Sequence, residues 1–148
     1  HRDLHSFPTR RSSDLRATVN EESLGRLEAF IDPVYLHQTK IRLPRGQILS
    51  LPDLTQETLD AARTHAGCEL RTHFHVPLFF AGDAALGSTH GDLSEAFFAH
   101  AFAGSYPLEI ETYTFNVLPP ALRPGSVVES LVAEHEWVWR HSPSSRKS

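Results

Sequence analysis

The stretch Arg71 to Phe80 reads RTHFHVPLFF, and the fold assignment turns on it. Its aromatic and branched residues suit a strand. Side chains alternate along a strand, so His73 and His75 share one face and Phe74 takes the other. Val76 and Pro77 follow, and a proline closes regular pairing there. The two histidines are therefore expected near the C-terminal end of a strand. Two further runs have the same character. Tyr35 to Leu43 reads YLHQTKIRL. Leu108 to Phe115 reads LEIETYTF, with Leu108, Ile110, Thr112 and Thr114 on one face and Glu109, Glu111, Tyr113 and Phe115 on the other.

Helical segments separate these runs. Thr18-x-x-Glu21 has the capping-box pattern, followed by Leu24, Leu27 and Ile31 at helical spacing. Asp53 or Thr55 can cap a second helix, with Leu59, Ala62 and Ala66 on one face and Gly67 as its stop. Thr89 can cap a third, with Leu93, Ala96 and Phe97 inward and Gly104 beyond its end. Ser126-x-x-Glu129 opens a fourth, with Val128, Leu131, Val132, His135 and Val138 as its stripe. Helix and strand alternate, which predicts βα units with parallel strands. A (β/α)8 barrel typically takes about 250 residues, and this chain has 148. The expected class is thus α/β: the C-terminal portion of a TIM barrel, truncated on its N-terminal side.

His1 to Leu15, HRDLHSFPTRRSSDL, reads differently. It resembles, codon for codon, the frame translation of a short-read sequencing-library adapter. It has no apolar period and so no face to bury. It also lacks the apolar centre of a signal peptide. It is set aside as a non-native leader, and His1, His5, Arg10 and Arg11 are not read as a site. Residues 16–140 are assigned to the barrel, and 141–148, HSPSSRKS, to a disordered polar tail.

Composition narrows the function classes. The chain carries 14 Lys and Arg against 18 Asp and Glu, a formal net charge of −4. That gives no electrostatic case for nucleic acid. No apolar run approaches the roughly 18 residues of a membrane span. One cysteine, Cys68, forbids an intrachain disulfide and suits a reducing, cytoplasmic compartment. No Gly-x-Gly-x-x-Gly, P-loop or Gly-x-Ser-x-Gly pattern is present.

Histidine and carboxylate positions carry the chemistry. Paired on one face, His73 and His75 can ligate one metal ion or bracket a substrate; the plainer alternative is a pair of packed, hydrogen-bonded histidines. Glu111, near the end of its run, is the better ligand or acid/base candidate; Glu109 reads as an exposed acidic position. His37 and Gln38 can both donate and accept, and with Tyr113 they are the expected substrate-binding residues. Cys68 reads as structural. Gly67, five residues and His73-x-His75 resemble the start of a cupin metal motif. The match then fails, because Phe79 and Phe80 stand where a Glu belongs and Gly82 comes too early.

Three blocks in order, DPVYLHQT (Asp32 to Thr39), THFHVPLF (Thr72 to Phe79) and LEIETYTFNVLP (Leu108 to Pro119), resemble the EboE-type metabolite traffic protein family. Ser88-Thr89-His90 and Phe115 depart from its pattern. The resemblance implies a xylose-isomerase-like barrel of the sugar-phosphate isomerase/epimerase class. It implies a divalent metal (Mn, Mg, Zn or Co) with His75 and Glu111 among its ligands. Glu111 and His73 would be the catalytic pair, with His73 polarising the substrate. The ligand would be a small polar secondary-metabolite precursor, and other proteins of the same export pathway would be partners. The remaining metal ligands would lie upstream, so this piece alone would be inactive. A non-catalytic carrier barrel is the alternative, and a cupin-like metal-binding domain a lower one.

Overall fold

The computed structural model of the chain describes residues 14–104 and 108–142. Five short strands form one sheet: β1 (Leu15–Thr18), β2 (Thr39–Arg42), β3 (Ile48–Leu51), β4 (Glu69–Thr72) and β5 (Leu86–Ser88). Their order is β3-β2-β4-β1-β5, and every neighbouring pair is antiparallel. Among the described residues four α-helices, α1 (Glu21–Leu27), α2 (Gln56–Ala62), α3 (Glu95–Ala103) and α4 (Val127–His141), accompany the sheet, and this is an α+β fold.

This overturns the expected α/β class. A (β/α)8 barrel, whole or partial, needs parallel strands joined by helical crossovers. Here β2 and β3 are joined by a tight turn. The Gly46 N–H donates to the Leu43 carbonyl (2.9 Å) and the Leu43 N–H to the Gln47 carbonyl (2.9 Å). Gly46 sits at φ 80°, which glycine reaches without steric cost.

The expected strands change as well. RTHFHVPLFF leaves the sheet after Thr72, because the Phe74 N–H turns back to the Thr72 carbonyl (2.9 Å). Of YLHQTKIRL only Thr39–Arg42 pairs. Upstream, the Asp32 carboxylate accepts the N–H groups of Val34 (2.7 Å) and Tyr35 (3.1 Å) and curls the chain into a turn. LEIETYTF is not a strand: Leu108–Thr112 runs without regular pairing and Phe115–Val117 forms a 3-10 turn. Alternation prepares two faces, but a strand also needs a neighbouring edge, and none is offered there.

Helix caps are close to expectation, with shifts. Asn20, not Thr18, caps α1, in a reciprocal capping box with Ser23; Thr18 still belongs to β1. Thr55 caps α2 by accepting the Thr58 N–H (3.2 Å). Ser94 caps α3, while Thr89 opens a 3-10 turn capped by Ser88. On α3 the buried residues are Phe98 and Ala101 rather than Ala96 and Phe97. Ser126 caps α4 as expected, but Ser130 and Glu134 face inward while Val128 and Val132 are exposed. His141, assigned to the tail, closes α4, and Ser142 is buried. The rest of the tail, 143–148, and residues 1–13 of the leader lie outside the described residues.

The core lies between the sheet and the first two helices. Leu15, Ala17, Ile41, Leu70 and Leu86 from the strands meet Leu24 and Leu27 of α1 and Leu59 and Ala62 of α2. Asp14 and Leu15, set aside with the leader, take part in this frame. Leu15 is fully buried and pairs with Thr72 on one side and Ser88 on the other. Among the described residues no helix is long and apolar enough to cross a membrane.

Leu70 lies in the central strand, fully buried, between Ala17 and Ile41. Leu70→Ala is expected to lower unfolding free energy by about 2–5 kcal/mol, measured by urea denaturation.

Candidate metal centre

The site begins where β4 ends. The His73 N–H donates to the Gln38 carbonyl (2.8 Å), one step beyond the β2–β4 ladder. The next side chain, Phe74, is fully buried, edge-on to Phe30 (5.1 Å between centroids) and against His37 (4.4 Å). Phe74 points into the core, so its neighbours His73 and His75 remain together outside it, with their rings 4.6 Å apart.

Each imidazole has a carboxylate on its Nδ1. His73 Nδ1 lies 2.7 Å from Asp14 Oδ1, and His75 Nδ1 lies 3.1 Å from Glu111 Oε2. The His73 Nδ1–H donates to Asp14, and His75 stands at ion-pair distance from Glu111, which leaves the Nε2 atoms of the two rings to each other. Those two Nε2 atoms face each other at 3.2 Å. That is a hydrogen-bond distance, and one proton shared between the rings, or one cation held by both, accounts for it.

Elements on three sides hold this geometry. Asp14 is clamped to the turn after β5: its N–H donates to Thr89 Oγ1 (3.0 Å), and its carbonyl accepts the Thr89 N–H (2.9 Å). Asp14 is 1% exposed, and its second oxygen, Oδ2, has no hydrogen-bond partner. Thr114 donates its hydroxyl to the His75 carbonyl (2.6 Å), and the Tyr113 ring lies against His75 at 5.0 Å. Asp14, His73 and His75 each offer a ligand atom, all within 4.8 Å of one another, so the three form a possible metal-binding triad.

The expected site residues separate into two groups. His73, His75, Glu111 and Tyr113 converge. Glu111 reaches His75 from an irregular segment with its side chain half-exposed, not from a strand end. Tyr113 also meets Tyr35 edge-on at 5.1 Å. His37 is fully buried and touches the site through backbone: its Nδ1–H donates to the His73 carbonyl (3.1 Å). Gln38 joins the site through its carbonyl, while its residue surface is exposed.

His37 is itself held by carboxylates. Its Nε2 bonds Asp32, and its N–H donates to Asp53 Oδ1 (2.6 Å). Both ring nitrogens thus face oxygen atoms. Burial by itself would raise the Asp32 pKa. The bond from His37, the N–H groups of Tyr35 and Val34 and the charge of His37 outweigh burial and lower it.

Sequence reasoning missed Asp14, Asp32 and Glu134. Asp14 was set aside with the leader. Asp32 stands five residues before His37 and meets it through the turn that its own carboxylate makes with Val34 and Tyr35. Glu134 lies outside the expected apolar stripe of α4, and a carboxylate there reads as solvated. In the structure it is buried and accepts the Leu78 N–H (3.1 Å). Burial raises its pKa, against the lowering effect of the Leu78 N–H, His135 and Ser130. A cavity of about 10 Å³ beside it is lined by His75, Glu111, Thr112, Thr114 and Ser130. That is about the smallest space that admits one water.

No protein-family profile, curated protein or solved structure matches the chain.

Two carboxyls set opposite pH dependences. A lowered pKa gives Asp32 a stabilising contribution above the ordinary carboxylate range, lost as pH falls through its folded value. Asp32→Asn should therefore cost about 3 kcal/mol at neutral pH, and the deficit should shrink on acidification. The raised pKa of Glu134 works the other way: its contribution is full at low pH and lost as pH rises through the folded value. Glu134→Gln should gain on the parent as pH rises. Urea denaturation between pH ~3 and ~7 measures both.

Proposed function

We propose that the chain binds one divalent transition-metal ion through His73 Nε2 and His75 Nε2, and that the ion captures a small polar, oxygen-bearing metabolite. The observation that carries this reading is the pair of Nε2 atoms 3.2 Å apart, in rings whose Nδ1 atoms lie 2.7 and 3.1 Å from carboxylate oxygens. Two nitrogens on one tetrahedral ion at Zn–N distances of about 2.0–2.1 Å would be about 3.3 Å apart. Carboxylate–histidine–metal relays fix the ring and raise its basicity in the same way. Asp14 Oδ2 supplies a third donor if the carboxylate turns towards the ion.

The donor set discriminates among metals. Mg prefers oxygen ligands and keeps its waters, so two imidazoles favour Zn or Co over Mg. Two or three protein ligands leave coordination positions for a ligand oxygen. Glu111, Thr112 and Tyr113 border that side. The isomerase/epimerase chemistry implied by the resemblance draws its other carboxylates from a ring of parallel strand ends. An antiparallel sheet has no such ring, so the reading adopted is capture of a metabolite rather than its turnover.

Asp14 lies in the stretch that resembles adapter translation; His73, His75 and Glu111 do not. The test therefore treats Asp14 separately. Equilibrium dialysis of the full chain with Co(II), read by elemental analysis and visible absorption, should give one bound ion. His73→Ala and His75→Ala should abolish it, and Asp14→Asn and Glu111→Gln should weaken it by about 10–100-fold. Acetohydroxamate, a small two-oxygen ligand, should perturb the bound Co(II) spectrum. Absence of bound Co(II) and Zn(II), or unchanged binding in the histidine variants, overturns the metal reading and leaves a shared proton between the rings. An unperturbed spectrum overturns the capture of an oxygen ligand.

A further inference from the structure

Glu134 places a carboxyl in the interior beside the metal centre. It is 5% exposed, and it and Ser130, one turn before it, are the buried residues of α4. A carboxyl is costly to desolvate, and an apolar side chain would fill that place without the cost. Two sets of contacts show what the carboxyl does there. It accepts the Leu78 N–H (3.1 Å), three residues beyond His75. The chain from His75 to Leu78 lies outside the sheet, so its backbone groups find partners elsewhere. Thr114 meets the His75 carbonyl (2.6 Å), and Glu134 meets the Leu78 N–H. Side chains thus pin the segment that carries His75 at both ends.

The second set is the cavity of about 10 Å³, which Glu134 and Ser130 line from α4, and His75, Glu111, Thr112 and Thr114 from outside that helix. So small a space with so many polar groups around it suits one water. Glu111 is the carboxylate that stands 3.1 Å from His75 Nδ1. We infer that Glu134 is a positioning residue of the metal centre: it holds the Leu78 backbone directly and Glu111 through one water in this cavity, and so sets the His75 ring. The inference rests on the proposed metal centre, of which His75 is a ligand. Glu134 itself acts through His75 and Glu111 and not on the ion or the captured metabolite. Burial raises its pKa, and a protonated carboxyl donates to the water with one oxygen while the other accepts from Leu78. A glutamine side chain offers the same donor and acceptor, and an alanine offers neither.

Nitrogen NMR of the metal-free chain reads the His75 ring directly. Glu111→Gln should shift its ring-nitrogen signals, and Glu134→Ala should shift them in the same direction. Glu134→Gln should keep the parent values. Ser130→Ala, which a helix accepts readily, loosens the same carboxyl and should give a smaller shift; it decides the matter if Glu134→Ala does not fold. Unchanged signals from the buried His37 identify variants that keep the sheet. With Co(II) added, Glu134→Ala should bind about tenfold more weakly, with an altered visible spectrum, and Glu134→Gln should bind as the parent does. Unmoved His75 signals in the alanine variants, or a glutamine variant as impaired as the alanine one, overturn the inference and leave the metal reading standing. A parent that binds no Co(II) overturns the metal reading, while the His75 signals still test the positioning.

Discussion

Burial of Phe74 is the constraint on which the rest of the structure depends. It follows β4 by two residues, and it enters the core against Phe30 and His37. Fully burying an aromatic side chain is worth about 1.5–3 kcal/mol, more than one further ladder hydrogen bond supplies. The strand therefore ends at Thr72 and the backbone turns. With Phe74 held inside, His73 and His75 are left side by side outside the apolar cluster. Each then meets what the neighbouring elements bring: Asp14 from the start of β1, and Glu111 and Thr114 from the segment before α4.

Carboxylates organise the imidazoles in two layers. In the deeper one, Asp32 and Asp53 hold His37, and His37 holds the backbone of His73. In the outer one, Asp14 and Glu111 set which nitrogen of His73 and His75 faces the partner ring. A buried charge is costly unless paired and hydrogen-bonded, so such a chain of contacts persists only when each member is satisfied. Asp14 Oδ2 is the exception, a buried acceptor left over beside the two rings. That orphan and the close approach of the two Nε2 atoms are the physical grounds for the proposed cation.

Part of the site was legible in the sequence. The pattern His73-x-His75 depends on residue type and short-range spacing alone, whereas the approach of Glu111 and Tyr113 to His75 is decided by the fold. The fold was less legible. LEIETYTF has ideal alternation and makes no strand, whereas LGS at Leu86–Ser88 has almost no signal and makes one. Pairing belongs to two segments at once, and a single segment carries half the information. The hairpin at IRLPRGQILSL is the readable exception, with Pro44 and Gly46 marking its turn.

By itself the sequence determined the local chemistry: polar caps at Thr55 and Ser126, a turn at Gly46, two histidines one residue apart, and a chain of mild negative charge. These follow from side-chain and backbone preferences acting within a few residues. Only the tertiary structure decided that the sheet is antiparallel, that α4 turns Ser130 and Glu134 inward, and that Asp14, distant in sequence, lies against His73. Each of those choices compares burial and pairing between segments far apart in the chain. Side-chain periodicity records which face is apolar, but not which neighbour will cover it.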